Sequence, residues 1–188
     1  FKKYPNAKAV IVVHLYGTPA KMDEIISICK KHNAALIEDA AEGLGGEYKG
    51  KKLGSFGDFG IFSFNGNKII TSSGGGMLVS DNAEKLKLVL KWITQSREPF
   101  PWYQHEELGF NYRLSNICAG IGLGQMSVLE DHVNQKTNIY NKYKNAFKDL
   151  PVTMHPSLKD TKPNHWLSAL TINKDCNLSP FAVMDKLK

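Results

Sequence analysis

No apolar run in this 188-residue chain approaches the roughly 20 residues a helix needs to cross a bilayer, so no membrane partner is expected. Cysteine is scarce. Cys29, Cys118 and Cys176 are odd in number and far apart. No CxxC or Cys/His ligand spacing occurs, which argues against a zinc module or disulfide framework and predicts a reduced, cytoplasmic setting. Internal repeats and low-complexity tracts are missing. So is a strong excess of one charge: 24 basic and 18 acidic residues give a net +6, interspersed apart from short clusters such as Lys49, Lys51 and Lys52. Without a basic and aromatic stripe, nucleic acid is not the expected partner; a mildly basic surface suits phosphorylated small molecules.

What is present suffices for a core. Hydrophobic residues make up 42% of the chain, enough for one domain, or one domain and part of another. Ala9 to Leu15 (AVIVVHL) reads as a strand buried on both faces. Thr18-Pro19 reads as a helix start, and Met22, Ile25, Ile26 and Cys29 follow at helical spacing. Ala35 to Glu38 is a second strand, completing a βαβ unit. Gly43 to Asp58 reads as loop or short hairpin, Phe59 to Phe64 and Met77 to Ser80 as strands. A helix through Leu86, Val89, Leu90 and Ile93 is capped by Asp81 or Asn82. Gln95 to Phe110 has no periodicity and is long for a loop, which suggests a functional one. Helical spacing restarts at Leu114 and continues through Met126 and Val133 towards Phe147. Gly120, Gly122 and Gly124 weaken this helix and predict close packing against another element or subunit. After Pro151 come a strand at Val152 to Met154, a strand at Trp166 to Ile172 and a helix capped by Ser179. The expected division is 1–130, core of a large domain; 131–150, a connecting helix; and 151–188, the opening of a small C-terminal α+β domain.

The informative stretch runs from Ile37 to Met77. Two apolar runs end in polar groups, Asp39 and Ser63. Lys68 follows the second, and a hydroxyl and glycine run, Thr71 to Gly76, follows the lysine. Singly, each has an ordinary explanation: Asp39 as a strand-end turn residue, Lys68 as a solvated loop lysine, the glycines as a flexible turn. Together they fall at or beyond strand ends, where α/β sheets bind ligands. The set suits a charged aromatic cofactor such as pyridoxal phosphate. That chemistry needs a lysine to form a Schiff base, a carboxylate beside the pyridine nitrogen, donors for the phosphate, and a group near the ring hydroxyl. Lys68, Asp39, Ser63 and Glu42 can fill these roles in order. Glu42 would have to share a proton with the ring oxygen.

HLYG (His14 to Gly17), EDAAEGLGGEYKGKKLGSFGDFGIFSFNGNKIITSSGGGM (Glu38 to Met77) and GFNYRLSN (Gly109 to Asn116) closely resemble, in order and spacing, the pyridoxal-phosphate-dependent sugar-nucleotide aminotransferases of the DegT/StrS group. The resemblance covers nearly the whole chain. It implies an α/β fold of three layers around a mostly parallel sheet, of the aspartate-aminotransferase type. It also implies Lys68 as the Schiff-base lysine, Asp39 as partner of the pyridine nitrogen, Glu42 near the ring hydroxyl and Ser63 as a phosphate ligand. Asn111, in GFNYR, matches an asparagine that reaches the phosphate in the neighbouring subunit, which implies a homodimer with shared sites. FNGNKIITSSGGGM and TQSREPF look most like enzymes that aminate UDP-linked 4-keto-6-deoxy-N-acetylhexosamines, with glutamate as donor. Lysine rather than histidine at 68 argues against the family's dehydratases. A 3-keto aminotransferase and a non-catalytic scaffold or regulatory module are the alternatives.

Other positions are read more plainly. His14 is a core or strand-end histidine or faces the site, Arg113 an anchor for the interface or a carboxylate, with a structural salt bridge ahead of catalysis, Tyr112 a packing residue, and Gly74 to Gly76 a close-approach segment beside the cofactor. The chain opens on Phe1, lacks the family's N-terminal phosphate-gripping turn, and stops inside the Ser179 helix. It is therefore expected to be part of a longer protein, with weak or no cofactor binding and no turnover by itself.

Overall fold

A computed structural model describes the chain from Phe1 to Lys188. Strand β1 (Ala9–Val13), helix α1 (Met22–Lys31) and strand β2 (Ala35–Asp39) form the βαβ unit, with Val13 opposite Asp39 in parallel register. The predicted helix start at Thr18-Pro19 lies one turn early. A short 3-10 turn at Leu15–Gly17 intervenes, and α1 begins at Met22. Beyond β2 come the two-residue strands β3 (Glu47–Tyr48) and β4 (Lys51–Lys52), paired as a short hairpin, the second of the two readings, then β5 (Phe59–Ser63) and β6 (Gly76–Val79). The main sheet has the order β1-β2-β5-β6; the first three strands are parallel and β6 runs antiparallel at the edge.

Successive side chains on a strand point to opposite faces. On one face Val12 and Leu36 are buried against Met22 and Cys29 of α1. On the other, Ile11 is 65% and Val13 47% exposed. The reading of β1 as buried on both faces is therefore corrected. An unbroken apolar run reports the polarity of both faces, not whether each has a cover, and within this chain only one does. Asp39 and Ser63 share the parity of Ile11 and Val13 through the register Val13 to Asp39 to Ile61.

The end of β2 is fixed by a buried carboxylate. Glu38 and His14 are both fully buried. Ala20 N–H donates to His14 Nδ1 at 3.2 Å, so the ring proton sits on Nε2, which donates to Glu38 Oε2 at 3.0 Å. Glu38 also accepts the backbone N–H groups of Gly54, Phe56 and Gly57. Burial alone would raise its pKa; the His14 bond and the three N–H groups outweigh that and hold it below the ordinary 4.5. This settles His14 as a core residue.

Helix α2 (Ala83–Ile93) is capped by Asn82, whose side chain accepts from Lys85 N. The long helix expected from Leu114 onward is two, α3 (Asn116–Met126) and α4 (Leu129–Ala146). Ser127 Oγ bonds back to Gly124 O at 2.8 Å, and the chain turns at Val128. The apolar spacing runs straight across this break. Gly120 and Gly124 have open space around them, and Ile117 and Leu123 are 78% and 75% exposed. The close packing predicted around Gly120 and Gly124 is thus not supplied by the chain itself, whereas Gly122 faces Ser72 and Gln125 bonds Thr71.

The last part holds β7 (Val152–Met154), β8 (Thr161–Lys162), β9 (Leu170–Ile172) and α5 (Pro180–Lys186), the last capped by Ser179 as expected. β7 pairs with β9, while β8 returns to pair with β3. The strand predicted over 166–172 covers only its last three residues. Trp166 is drawn instead into a core with Phe64, Ile69, Ile70 and Val133, and His165 takes φ +49°. No helix is long and apolar enough to cross a membrane.

Glu38→Ala should destabilise the protein by at least about 2 kcal/mol, since it strands the buried Nε2–H of His14 and the N–H of Gly54, at roughly 1–3 kcal/mol each. The wild-type contribution should be fully present above pH 4.5 and decline as the pH falls through the lowered folded value of Glu38. Chemical denaturation from pH 7 to pH 3 measures both, and a variant with wild-type stability and pH dependence would contradict the account.

Candidate active site

The lysine segment lies between β5 and β6 and is pinned from several sides. Thr71 Oγ1 and Ser72 N–H both donate to Phe64 O, Thr71 N–H donates to Gln125 Oε1 of α3 at 2.9 Å, and His132 Nδ1 of α4 bonds Ile69 O at 3.0 Å. Gly75 has φ +84°, and a Cβ there would lie 2.2 Å from Leu114 Cδ1; one at Gly76 would lie 2.5 Å from Phe62 O. Gly75 and Gly76 are thus required by backbone conformation and close protein packing, while Gly74 has open space around it.

This scaffold holds the Lys68 side chain largely shielded, 13% exposed, with Nζ 3.8 Å from Glu42 Oε1. The separation is that of an ion pair rather than a hydrogen bond. Nζ also lies 4.3 Å from the centroid of the Trp166 ring. Glu42 is oriented by Tyr16, whose N–H donates to Oε2 at 2.7 Å. Tyr16 itself has φ +56°.

Asp39 closes β2. Its Oδ1 accepts Ala41 N–H at 3.1 Å, the ordinary turn role, and its Oδ2 takes no hydrogen bond from the protein. Ser63 closes β5 and accepts Asn65 N–H at 3.3 Å, leaving its hydroxyl proton free. The register puts both at the carboxyl edge of the parallel strands, on the open face.

Asn111 lies elsewhere, bridged to Thr94 beside an open cleft of about 530 Å³ lined by Arg97, Phe100 and Arg113 among others. No hydrogen bond or ion pair joins it to the other four residues. Arg113 forms no ion pair within this chain; it is an exposed residue lining the same cleft. Tyr112 stacks on Phe110 with centroids 5.0 Å apart, a packing role as read. The loop itself is well tied. Gln95 N–H donates to Phe110 O, and Lys91 holds Glu98 and Glu107 at 2.8 Å each. The carboxylates of Glu107 and then Glu98, paired with its ammonium, push Lys91 well above its ordinary pKa.

Sequence reasoning missed Tyr16, Asn164 and Trp166. Asn164 is fully buried and its Nδ2 donates to Glu42 O at 2.7 Å and Leu44 O at 2.8 Å. Its Oδ1 accepts Trp166 N–H at 2.9 Å, and Trp166 Nε1 donates to Asn67 O at 2.7 Å. The segment after Pro151 thus braces both loops that carry Glu42 and Lys68. The only signal was the pair of polar residues before an apparent strand, which carries no such meaning locally.

The sequence model of the DegT/DnrJ/EryC1/StrS aminotransferase family matches residues 4–188. The chain is 51% identical over 181 residues to EpsN of Bacillus subtilis strain 168, provisionally named a pyridoxal phosphate-dependent aminotransferase; this covers 96% of the chain and 46% of EpsN. It is 40% identical over 165 residues to GDP-perosamine synthase of Escherichia coli O157:H7, covering 88% of the chain and 45% of that enzyme. The solved structure of Helicobacter pylori PseC, an aminotransferase involved in pseudoaminic acid biosynthesis, superposes with a TM-score of 0.84 at 28% identity, over 89% of this chain and 46% of PseC. The chain spans about half the length of the curated relatives it matches.

Asn164→Ala should remove the partners of two carbonyls and of the Trp166 N–H and cost about 3 kcal/mol of stability or more, on the basis of roughly 1–3 kcal/mol per buried group left unsatisfied. Thermal and chemical denaturation test this; a loss below about 0.5 kcal/mol would mean that water or a neighbour replaces the amide.

Proposed function

The chain belongs to the DegT/DnrJ/EryC1/StrS aminotransferase family, and from that premise we propose that it carries the lysine-bearing part of the active site of a sugar-nucleotide aminotransferase. The family's cofactor is pyridoxal phosphate, which when bound supplies an electron sink for proton removal at the amine-bearing carbon. The residues fit it: an oxygen of Asp39 and the hydroxyl proton of Ser63 are unclaimed by the protein, and the Lys68 side chain is shielded yet free of hydrogen bonds. The observation that carries the reading is the placement of Asp39 and Ser63 at one edge of the sheet, with Lys68 on the segment that leaves it.

In this reading Lys68 bonds the cofactor and, when released, moves a proton to or from the substrate carbon. Asp39 keeps the ring nitrogen protonated, Ser63 donates to the phosphate, and Glu42, held by Tyr16 N–H, faces the ring hydroxyl. L-Glutamate is the amino donor, and the acceptor is the 4-keto carbon of a 6-deoxy nucleotide sugar. Within that class the UDP-linked N-acetylhexosamine type is favoured by FNGNKIITSSGGGM and TQSREPF. A 3-keto sugar is the alternative acceptor. Asn111, absent from the Lys68 cluster, serves the phosphate of a neighbouring subunit, and the exposed apolar residues of α3 support a homodimer with shared sites. The three unpaired cysteines suit the cytoplasm, where nucleotide sugars would be processed for surface glycans.

The whole protein mixed with pyridoxal phosphate should develop a visible absorbance band that glutamate discharges. Lys68→Ala should lack the band and lose on the order of 10³-fold or more in amination rate, with its oligomeric state unchanged. Keto-sugar nucleotides with different bases and 3- or 4-keto positions should then be ranked by how fast they restore the discharged band. A folded, intact protein that forms no band would overturn the aminotransferase reading in favour of a non-catalytic scaffold.

A further inference from the structure

Two groups beside Lys68 are held by the rest of the chain rather than by the lysine. The Trp166 ring is anchored at both ends, by Nε1 to Asn67 O and by its backbone N–H to Asn164 Oδ1. The Glu42 carboxylate is tied to Tyr16 N–H, and its backbone carbonyl to Asn164 Nδ2. Lys68 Nζ rests 4.3 Å from the ring centroid and 3.8 Å from Glu42 Oε1 without donating a hydrogen bond to either. An aromatic face attracts an ammonium group most strongly where water is partly excluded. The carboxylate adds a Coulombic attraction.

We propose that Trp166 and Glu42 form a seat for the Lys68 side chain while it is not bonded to cofactor, and that Trp166 is thereby a positioning residue of the transfer reaction. The inference rests on the aminotransferase reading above. When an amino donor entering as its ammonium takes the lysine's place, the donor nitrogen would form the bond to the cofactor carbon that the protonated lysine nitrogen gives up. Lys68 would then keep its own proton, gain the two the donor nitrogen loses and leave as an ammonium, the bonded nitrogen remaining protonated. The released side chain needs somewhere to go. A preformed ring and carboxylate stabilise the released state and keep the lysine out of bulk water. The seat therefore shifts the balance away from the lysine-bound form and competes with any other electrophile for the amine.

The sign of the effect follows. Removing the aromatic face favours the lysine-bound form. In the whole protein, Trp166→Met keeps bulk but removes the ring, and Trp166→Phe keeps a ring. With Met, the glutamate to 2-oxoglutarate ratio that half-discharges the cofactor band should rise by roughly five- to thirtyfold, the range a cation–π contact spans. In cofactor-free protein, a soluble aldehyde plus borohydride should trap Lys68 faster by a similar factor, read by mass spectrometry. Phe should stay within about twofold of wild type on both readouts. A folded Met variant that matches wild type on both would sink the proposal. Should Met fail to fold, tryptophan emission in the cofactor-free protein decides instead. Lys68→Ala should raise the emission by removing an ammonium from the indole, and should leave it unchanged in a Trp166→Phe background. Emission indifferent to Lys68→Ala overturns the seat. Absence of any cofactor band in wild type would instead defeat the parent reading.

Discussion

The buried Glu38 carboxylate holds together the part of the molecule on which the site depends. It accepts from His14 and from three backbone N–H groups of the 54–57 turn, and so binds the end of β1, the end of β2 and the approach to β5 into one unit. A charge in that position is tolerable only because every donor is in place. The next residue is Asp39, and His14 N–H donates to its carbonyl. The strand edge that presents Asp39 therefore inherits its rigidity from a buried, hydrogen-bonded carboxylate one residue before it.

A second constraint comes from the far end of the chain. Asn164 and Trp166 reach back to Glu42, Leu44 and Asn67, across up to 122 residues of sequence. Through them the segment after Pro151 sets where the lysine and its carboxylate neighbour stand. His132 and Gln125 do the same for the rest of the 64–76 segment. The lysine is thus positioned by α3, α4 and the closing segment together, while the sheet positions Asp39 and Ser63. The two halves of the candidate site have different supports.

Asp39, Ser63 and Lys68 could be found because their signal is local: polar residues ending apolar runs, and a motif whose spacing is fixed by the turn it makes. The Asp81-Asn82 pair, of which Asn82 is the cap, and Ser179 were legible as caps for the same reason. Where the reading failed, the deciding contact was distant or invisible to periodicity. The apolar spacing from Leu114 to Phe147 crosses the Ser127 break without a fault, because a turn closed by one hydroxyl leaves the pattern intact. WLSALTI has the composition of a strand, yet a buried tryptophan can be held equally well by an irregular segment packed on a core.

The sequence by itself determined the α/β class, the parallel βαβ order and the family, and it marked out the candidate residues Asp39, Ser63 and Lys68, since these follow from periodicity and from short motifs with fixed turns. The tertiary structure alone decided that His14 is a core residue, that β1 is covered on one face, and that Trp166 and Glu42 flank Lys68. Those facts depend on which residues meet after the chain has closed on itself, and no local pattern records a meeting between positions a hundred residues apart.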